Sequence, residues 1–568
     1  MKNLLTLVAL SVVFSMNAQT GNTSTGTSSL SSNTTGDYNS AFGNMSLFSN
    51  TTGSRNSGLG HDALYSNTTG IENTAIGAWS LQANTTGNSN TASGIMSLFS
   101  NTTGNNNSAI GFKSLYSNTT ASKNTAIGNY SLYSNTTGDG NTALGTFSLQ
   151  QNTNGANNTA SGYNSLGSNT SGFANSAFGY DALSANTLGD ANTAIGEGAL
   201  RDNTSGSFNT AAGYSALISN TTGSGNTATG EQALGSNNTG LNNTANGAQA
   251  LSSNTTGYYN TASGYQSLYS NTTGSFNIAS GYQSLYSNTT GSFNAASGNN
   301  SLNSNTTGTL NTASGYNSLN SNTTGYQNTA TGSVSLSSNN TGVQNTAYGA
   351  FSLYSNTEGN YNTANGAQAL YSNTTGSNNT GLGYEATASS ATATNQTIIG
   401  FEATGQADNS VVLGNDDVTA VYMAEDRGAK IYAGEGDFAG DIVTAGNITV
   451  SSDIRLKKDV VDLPSTLENI KSLRPVSYSK KSSLNSEEYG STEIGLIAQE
   501  LQEVYPNMVS EDDSKDPLLS VSYMELIPVL IKGMQEQQIM IEKQEVAMKN
   551  QQMMIQNQQV LIEKLIAK

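Results

Sequence analysis

Asn254-Thr255-Thr256-Gly257-Tyr258-Tyr259-Asn260-Thr261-Ala262-Ser263-Gly264-Tyr265-Gln266-Ser267-Leu268-Tyr269-Ser270 is one copy of a unit that repeats along most of this chain. Its opening Asn-Thr-Thr-Gly motif begins at Asn33 and returns every 17 residues as far as Asn373, giving 20 complete units without insertion or deletion. The Leu268, Gly264 and Asn260 positions are invariant within the chain from unit to unit. The Ala262 position is broken only by Gly58, and the Gly257 position only by Ala121. Self-similarity this strict marks a solenoid.

Seventeen residues are too few for a helix pair, and helix formers are scarce. The unit reads as one coil of a β-solenoid with two short strands, at 260–263 and 267–271. Gly264 and Gly257 supply the corners, where φ > 0 or close backbone approach is needed. Coils stacked about 4.8 Å apart would make a rod of roughly 100 Å. Asn and Thr at fixed positions are expected to form hydrogen-bonded ladders. The periodic Asn-Thr-Thr sequons therefore read as ladder residues before glycan acceptors. One Leu and one Ala per turn is a thin core for so much ordered backbone. Lateral packing of copies, with Leu and Ala stripes facing a shared axis, is the expected remedy; the energetics argue only against a monomer, and a homotrimer is the expected assembly.

Composition narrows the function. Charged residues are 10% of the 568-residue chain and Gly contributes 61, a disorder-like profile that the strict repeat contradicts. The net charge of −18, with only Arg55, Lys113, Lys123 and Arg201 as Lys or Arg between 33 and 383, argues against nucleic acid. There is no Cys and the sole His is His61, so disulfides, thiol catalysis, His triads and multi-His metal sites are excluded. No metal or cofactor is expected. Lys2, the apolar run 4–14 and Met16-Asn17-Ala18 read as a signal peptide over 1–18, which predicts a secreted or cell-surface protein. No other segment has the length of a membrane span.

Asn124-Thr125-Ala126-Ile127-Gly128, Asn395-Gln396-Thr397-Ile398-Ile399-Gly400 and Asn409-Ser410-Val411-Val412-Leu413-Gly414 carry a further pattern. Across about 33–425 it resembles the head repeats of YadA-like trimeric adhesins. The resemblance implies a left-handed parallel β-roll that trimerises. The last two motifs stand 14 residues apart, closer to that family's pattern than the 17-residue units. The membrane barrel that anchors such adhesins has no counterpart here, so a mature protein that is soluble or surface-attached through a partner is expected.

Domain limits follow from these patterns: signal peptide 1–18, linker 19–32, repeats 33–383, and a head-like end with a β neck over 384–450. At Ser451 the composition changes, and 13 of the 20 Lys and Arg residues lie from Arg455 onward. A chaperone-like domain is read over 451–538 and a coiled-coil tail over 539–568. Ser465 with Glu468 predicts a capped helix carrying Leu467, Ile470 and Leu473. Ile497, Leu501 and Val504 predict a second helix, closed by Pro506. Ser522 with Glu525 opens a third, in which Pro528 should kink the chain or shift the start. Ile539, Val546, Met553 and Val560 recur every seven residues among Gln-rich sequence, suggesting a coiled coil or a helix folded back on its own domain.

Ser452-Asp453-Ile454-Arg455-Leu456-Lys457, Leu473-Arg474-Pro475-Val476-Ser477-Tyr478, Ile494-Gly495-Leu496-Ile497-Ala498-Gln499-Glu500, Tyr505-Pro506 and Val521-Ser522-Tyr523 closely resemble the intramolecular chaperone of endosialidase-type tailspikes. The resemblance implies a trimerising domain that templates a β-fibre and then releases itself. It assigns Ser452 as nucleophile, Lys457 as general base and Ser451–Ser452 as the scissile bond. A Lys can serve as base if burial lowers its pKa. Asp453 and Arg455 are expected to orient the loop. The only expected enzymology is a single self-cleavage, without turnover of an external substrate. The alternatives are a structural fibre whose C-terminal domain does not cut and a glycan-degrading tailspike, although the repeats carry no recurring carboxylate pair. Glycan binding by corner aromatics such as Tyr258, Tyr259, Phe276, Tyr282, Phe293 and Tyr316 remains open against their reading as exposed strand residues.

Overall fold

The computed structural model describes residues 20–421, 452–481, 487–511 and 517–568. The expected signal peptide, Ser451 and most of the expected neck lie outside the described residues. The chain forms two compact units, taken here in turn.

The N-terminal unit is a parallel β-solenoid. Twenty-four three-residue strands, from β1 (Thr23–Thr25) to β24 (Val411–Leu413), form one sheet. Thr261, Ala262 and Ser263 pair with Ile278, Ala279 and Ser280, so the register step equals the repeat. Like positions therefore stack in columns. From the second strand (Ser40–Phe42) to the twenty-third (Thr397–Ile399) the middle residue is buried and its neighbours face outward. Ala262 is fully buried while Thr261 and Ser263 are exposed.

The second expected strand, at 267–271, is absent. Gln266 and Leu268 have φ of 53° and 51°, so the backbone alternates hand there and curls instead of extending. The segment still bonds to the next turn, Leu268 N–H to the Ser284 carbonyl at 2.9 Å and Ser270 N–H to that of Tyr286 at 3.0 Å. A left-handed Leu costs about 1–2 kcal/mol. Full burial of its side chain contributes about 1.5–3 kcal/mol, enough to offset that strain. Of the two corner glycines, Gly264 has φ +133°. Gly257 lies outside the left-handed region and is favoured by close approach, since a Cβ there would press on the Gly274 carbonyl and Asn254 Oδ1.

The interior is half polar. Asn271 Nδ2 donates to Asn254 Oδ1 at 2.8 Å and to the Gly274 carbonyl at 2.9 Å, while its Oδ1 accepts from Asn288. A second column runs alongside, with Asn260 Nδ2 donating to Asn243 Oδ1 at 3.2 Å and to the Gly274 carbonyl at 2.8 Å. Thr255 Oγ1 donates to the Thr272 carbonyl at 3.0 Å, the expected Thr ladder. From Asn50 and Asn39 onward both Asn columns are buried, so in the folded coil the amides of the periodic Asn-Thr-Thr motif face inward, away from a glycosylating enzyme. Satisfied in this way, the amides share the interior with Leu and Ala.

The expectation of Leu and Ala stripes on a shared axis is therefore corrected. Leu268 and Ala262 are fully buried within a single chain and have no surface to offer another. The expected linker 19–32 is also revised: Asn22, Gly26 and Leu30 stand 17 residues before Asn39, Gly43 and Leu47, and Thr23–Thr25 pairs with Ser40–Phe42. Among the described residues the coil begins there, without the Asn-Thr-Thr-Gly signature. At the other end the step shortens to 14, where Thr397 pairs with Val411.

Asn271→Leu should leave the Asn254 Oδ1 acceptor and one Asn288 N–H without partners, while the Gly274 carbonyl keeps the Asn260 amide. A loss of about 3 kcal/mol is expected. Hydrogen exchange should show it confined to the turns on either side, because each repeat touches only its neighbours. Unchanged protection there would contradict the ladder.

The C-terminal unit contains helices α1 (Leu467–Ser472), α2 (Ala498–Val504) and α3 (Tyr523–Ile566), with hairpin pairs Val476–Lys481/Tyr489–Gly495 and Val509–Glu511/Leu519–Val521. Helix α2 begins after Ile497, buries Leu501 and stops before Pro506, as expected. Helix α3 is continuous through Pro528, neither displaced nor divided. Its first part packs on α1, where Gly533 leaves room for Ile470. From Ile539 onward its apolar residues are exposed, so the fold-back alternative finds no support among the described residues.

The expected capping box at α1 does not form. Glu536, from α3, replaces it, accepting from Leu467 N–H at 3.0 Å, Thr466 N–H at 3.1 Å and Ser465 Oγ at 3.1 Å. The Leu467 N–H above all, with the Thr466 N–H, Ser465 hydroxyl and Lys532 charge, holds the Glu536 carboxyl below the usual carboxylate range. Because the folded value is depressed, this contact stabilises above the unfolded value of about 4.3 and is lost as pH falls through the folded one. Acidification should therefore unprotect the Leu467 amide, whereas Glu536→Gln should leave its exchange high even at pH 7.

Candidate functional site

Ser452 and Lys457 come together through a short turn. Ile454–Leu456 forms a single 3-10 turn, and Asp453 caps it, its side chain accepting from Arg455 N–H at 2.8 Å. Lys457 N–H closes the turn on the Ile454 carbonyl at 3.0 Å. This compaction spans the five-residue separation, and Lys457 Nζ donates to Ser452 Oγ at 2.6 Å. Arg455 reaches back to Asp453, with Nη2 2.6 Å from Oδ2. That guanidinium first, then its backbone N–H, holds the Asp453 carboxyl below its ordinary range. Asp453 and Arg455 thus brace the turn and touch neither Ser452 Oγ nor Lys457 Nζ. Ser452 and Lys457 are both exposed in the single chain, so the burial that would favour a neutral amine is not supplied by this chain's described residues.

The other motifs meet away from this turn. Leu473, Pro475, Ile494, Leu496, Tyr523 and Leu526 line one apolar cleft. Tyr523 Oη accepts from Leu496 N–H at 2.8 Å, and Gly495 makes the space, since a Cβ there would collide with the Tyr523 hydroxyl. Arg474 pairs with Glu500, tying the first motif to α2. Tyr523 and Glu500 are the structural residues that sequence reasoning left without a role. Their signal was membership of the motifs, with no indication of their partners.

The corner aromatics are not strand residues. Tyr259, Phe276 and Phe293 have φ of 54° to 60° and sit beside the Gly257-type corner. They stack on one another, Phe276 on Phe293 with centroids 4.9 Å apart. Their ring faces are thereby partly engaged with each other.

Residues 452–510 match the family model described as the chaperone of endosialidase. The chain is also similar to the long tail fiber protein Gp37 of Enterobacteria phage T2, 32% identical over 142 residues, which is 23% of this chain and 10% of that protein. Gp37 of Enterobacteria phage K3 is 32% identical over 138 residues, covering 22% and 11%. The matched region thus spans about a tenth of the length of these curated relatives. The molecule thus combines a parallel β-solenoid with a C-terminal unit in which residues 452–510 resemble the endosialidase chaperone. Among the described residues, no helix is long and apolar enough to cross a membrane.

Proposed function

We propose that this chain is an exported adhesive fibre, assembled as a homotrimer, whose C-terminal module aligns the copies and then cuts itself away between Ser451 and Ser452. The carrying observation is the 2.6 Å contact of Lys457 Nζ with Ser452 Oγ, inside the segment that matches the endosialidase chaperone. In the reaction Lys457, as a neutral amine, takes the hydroxyl proton while Ser452 Oγ attacks the Ser451 carbonyl carbon. The C–N bond breaks as the proton passes to the departing amine, leaving an ester on Ser452 Oγ. Water then hydrolyses that ester, giving a Ser451 carboxylate and a free N-terminal Ser452.

Assembly supplies the reason for such a device. Near-identical turns allow copies to pair one or more turns out of step at little energetic cost. A C-terminal template sets the alignment, and its removal makes assembly irreversible. Covering of the exposed dyad by neighbouring copies would desolvate Lys457 and couple cutting to correct association. The test is the mass and N-terminal sequence of the products of the full chain. A fragment 452–568 beginning with Ser452 is expected, and an intact chain in assembled fibres overturns self-cleavage.

A further inference from the structure

The third residue of each strand points outward and forms a column along the sheet. From Phe42 to Ile195 this column is apolar at every turn except Ser93 and Ser161, and includes Ile76, Ile110, Ile127 and Leu144. From Ala212 to Thr331 it holds only Ala, Thr, Asn and Ser. It becomes apolar again at Tyr348, Leu382, Ile399 and Leu413, interrupted by Asn365. These apolar residues lie in the open, Ile110 at 43% and Leu144 at 48% exposure.

None of the 24 strands contains a charged residue. Charges in the repeats, such as Arg55, Glu72, Lys123 and Asp139, sit at corners. Copies carrying −18 each repel, and the strand face is where they can meet without bringing like charges together. The first apolar segment leaves on the order of 600 Å² open per copy, so two copies meeting along it would cover about 1,200 Å², within the range of stable interfaces. A second copy repeats the same step and can match the column turn for turn.

We infer that the strand face is where another copy of this chain lies, held along two apolar segments, 42–195 and 348–413. This rests on the self-association proposed above and names the face that carries it, in place of the buried Leu and Ala columns. The 212–331 stretch adds no apolar drive of its own.

The chain contains no Cys, so single cysteines report on chosen faces. In the full chain, Ile110→Cys and Ile399→Cys place a thiol on the strand face, and Thr103→Cys places one at an exposed corner nearby. Treated with a short bis-maleimide and run on a denaturing gel, the two strand-face variants should shift mostly to linked species, with at least tenfold more linking than Thr103→Cys. Sedimentation is measured on the same samples. An oligomer in which Ile110→Cys links no better than Thr103→Cys overturns the face while leaving self-association intact. A monomeric chain overturns self-association and this inference together.

Discussion

Ser452→Ala should leave the mature chain uncut, while the solenoid and its association persist. The nucleophile is the only group removed, and the turn that carries it is held by others, through Asp453 at its cap and the Lys457 N–H on Ile454. Lys457→Ala should be equally inert, with either change slowing cleavage by about 10³-fold or more. Lys457→Arg sharpens the test. A guanidinium can occupy the same place and donate to Ser452 Oγ, but it does not deprotonate in proteins and so cannot act as base. A structural role for the Lys457–Ser452 contact predicts cleavage in Lys457→Arg, whereas a general-base role predicts none. Asp453→Asn should be milder, because it weakens the brace and leaves nucleophile and base in place. Release of the 452–568 fragment, followed by mass spectrometry alongside sedimentation, separates cutting from assembly. Continued cutting in Ser452→Ala would remove Ser452 as nucleophile.

Much of the solenoid was legible because its register step is the repeat length, so each column could be read off the sequence. The left-handed Leu268 was not. Positive φ is ordinarily the province of Gly and Asn, and a Leu between Ser267 and Tyr269 reads as strand. The buried Asn columns had a similar effect. Asn is mostly a surface residue, so Leu and Ala seemed to need a shared axis with other copies. Two amides that satisfy each other turn by turn remove that need. Near Ser452, proximity to Lys457 followed only from the resemblance, since five residues of loop do not fix a distance. The Asp453-capped turn fixes it. The Glu536 cap of α1 comes from about 70 residues away, and a local capping rule cannot find it.

Gly264→Ala should open the solenoid at that turn. A Cβ built on Gly264 would lie 2.5 Å from the Gly281 carbonyl oxygen and 2.7 Å from its carbon, both backbone atoms of the next turn. The φ of +133° is one an L-residue rarely adopts. The methyl can be admitted only by separating Thr261–Ser263 from Ile278–Ser280, and a loss of about 4 kcal/mol or more is expected. The chain carries its own control at the other corner. Ala121 occupies a Gly257-type position, outside the left-handed region, and the coil continues through it. Nearby, Asn124 Nδ2 is buried without a hydrogen-bond partner, whereas the same atom of Asn141 donates to the Gly138 and Gly155 carbonyls at 3.2 and 2.8 Å. A methyl at that corner thus coincides with the loss of one amide's bonds, about 1–3 kcal/mol. Gly257→Ala should be correspondingly milder than Gly264→Ala, and Ala121→Gly should gain about 1 kcal/mol after the entropy cost of the added glycine. Hydrogen exchange over residues 257–285 and 118–141 would rank the three. Equal loss in the two Gly→Ala variants would show that close packing alone governs the corners, and that the left-handed backbone at Gly264 adds nothing.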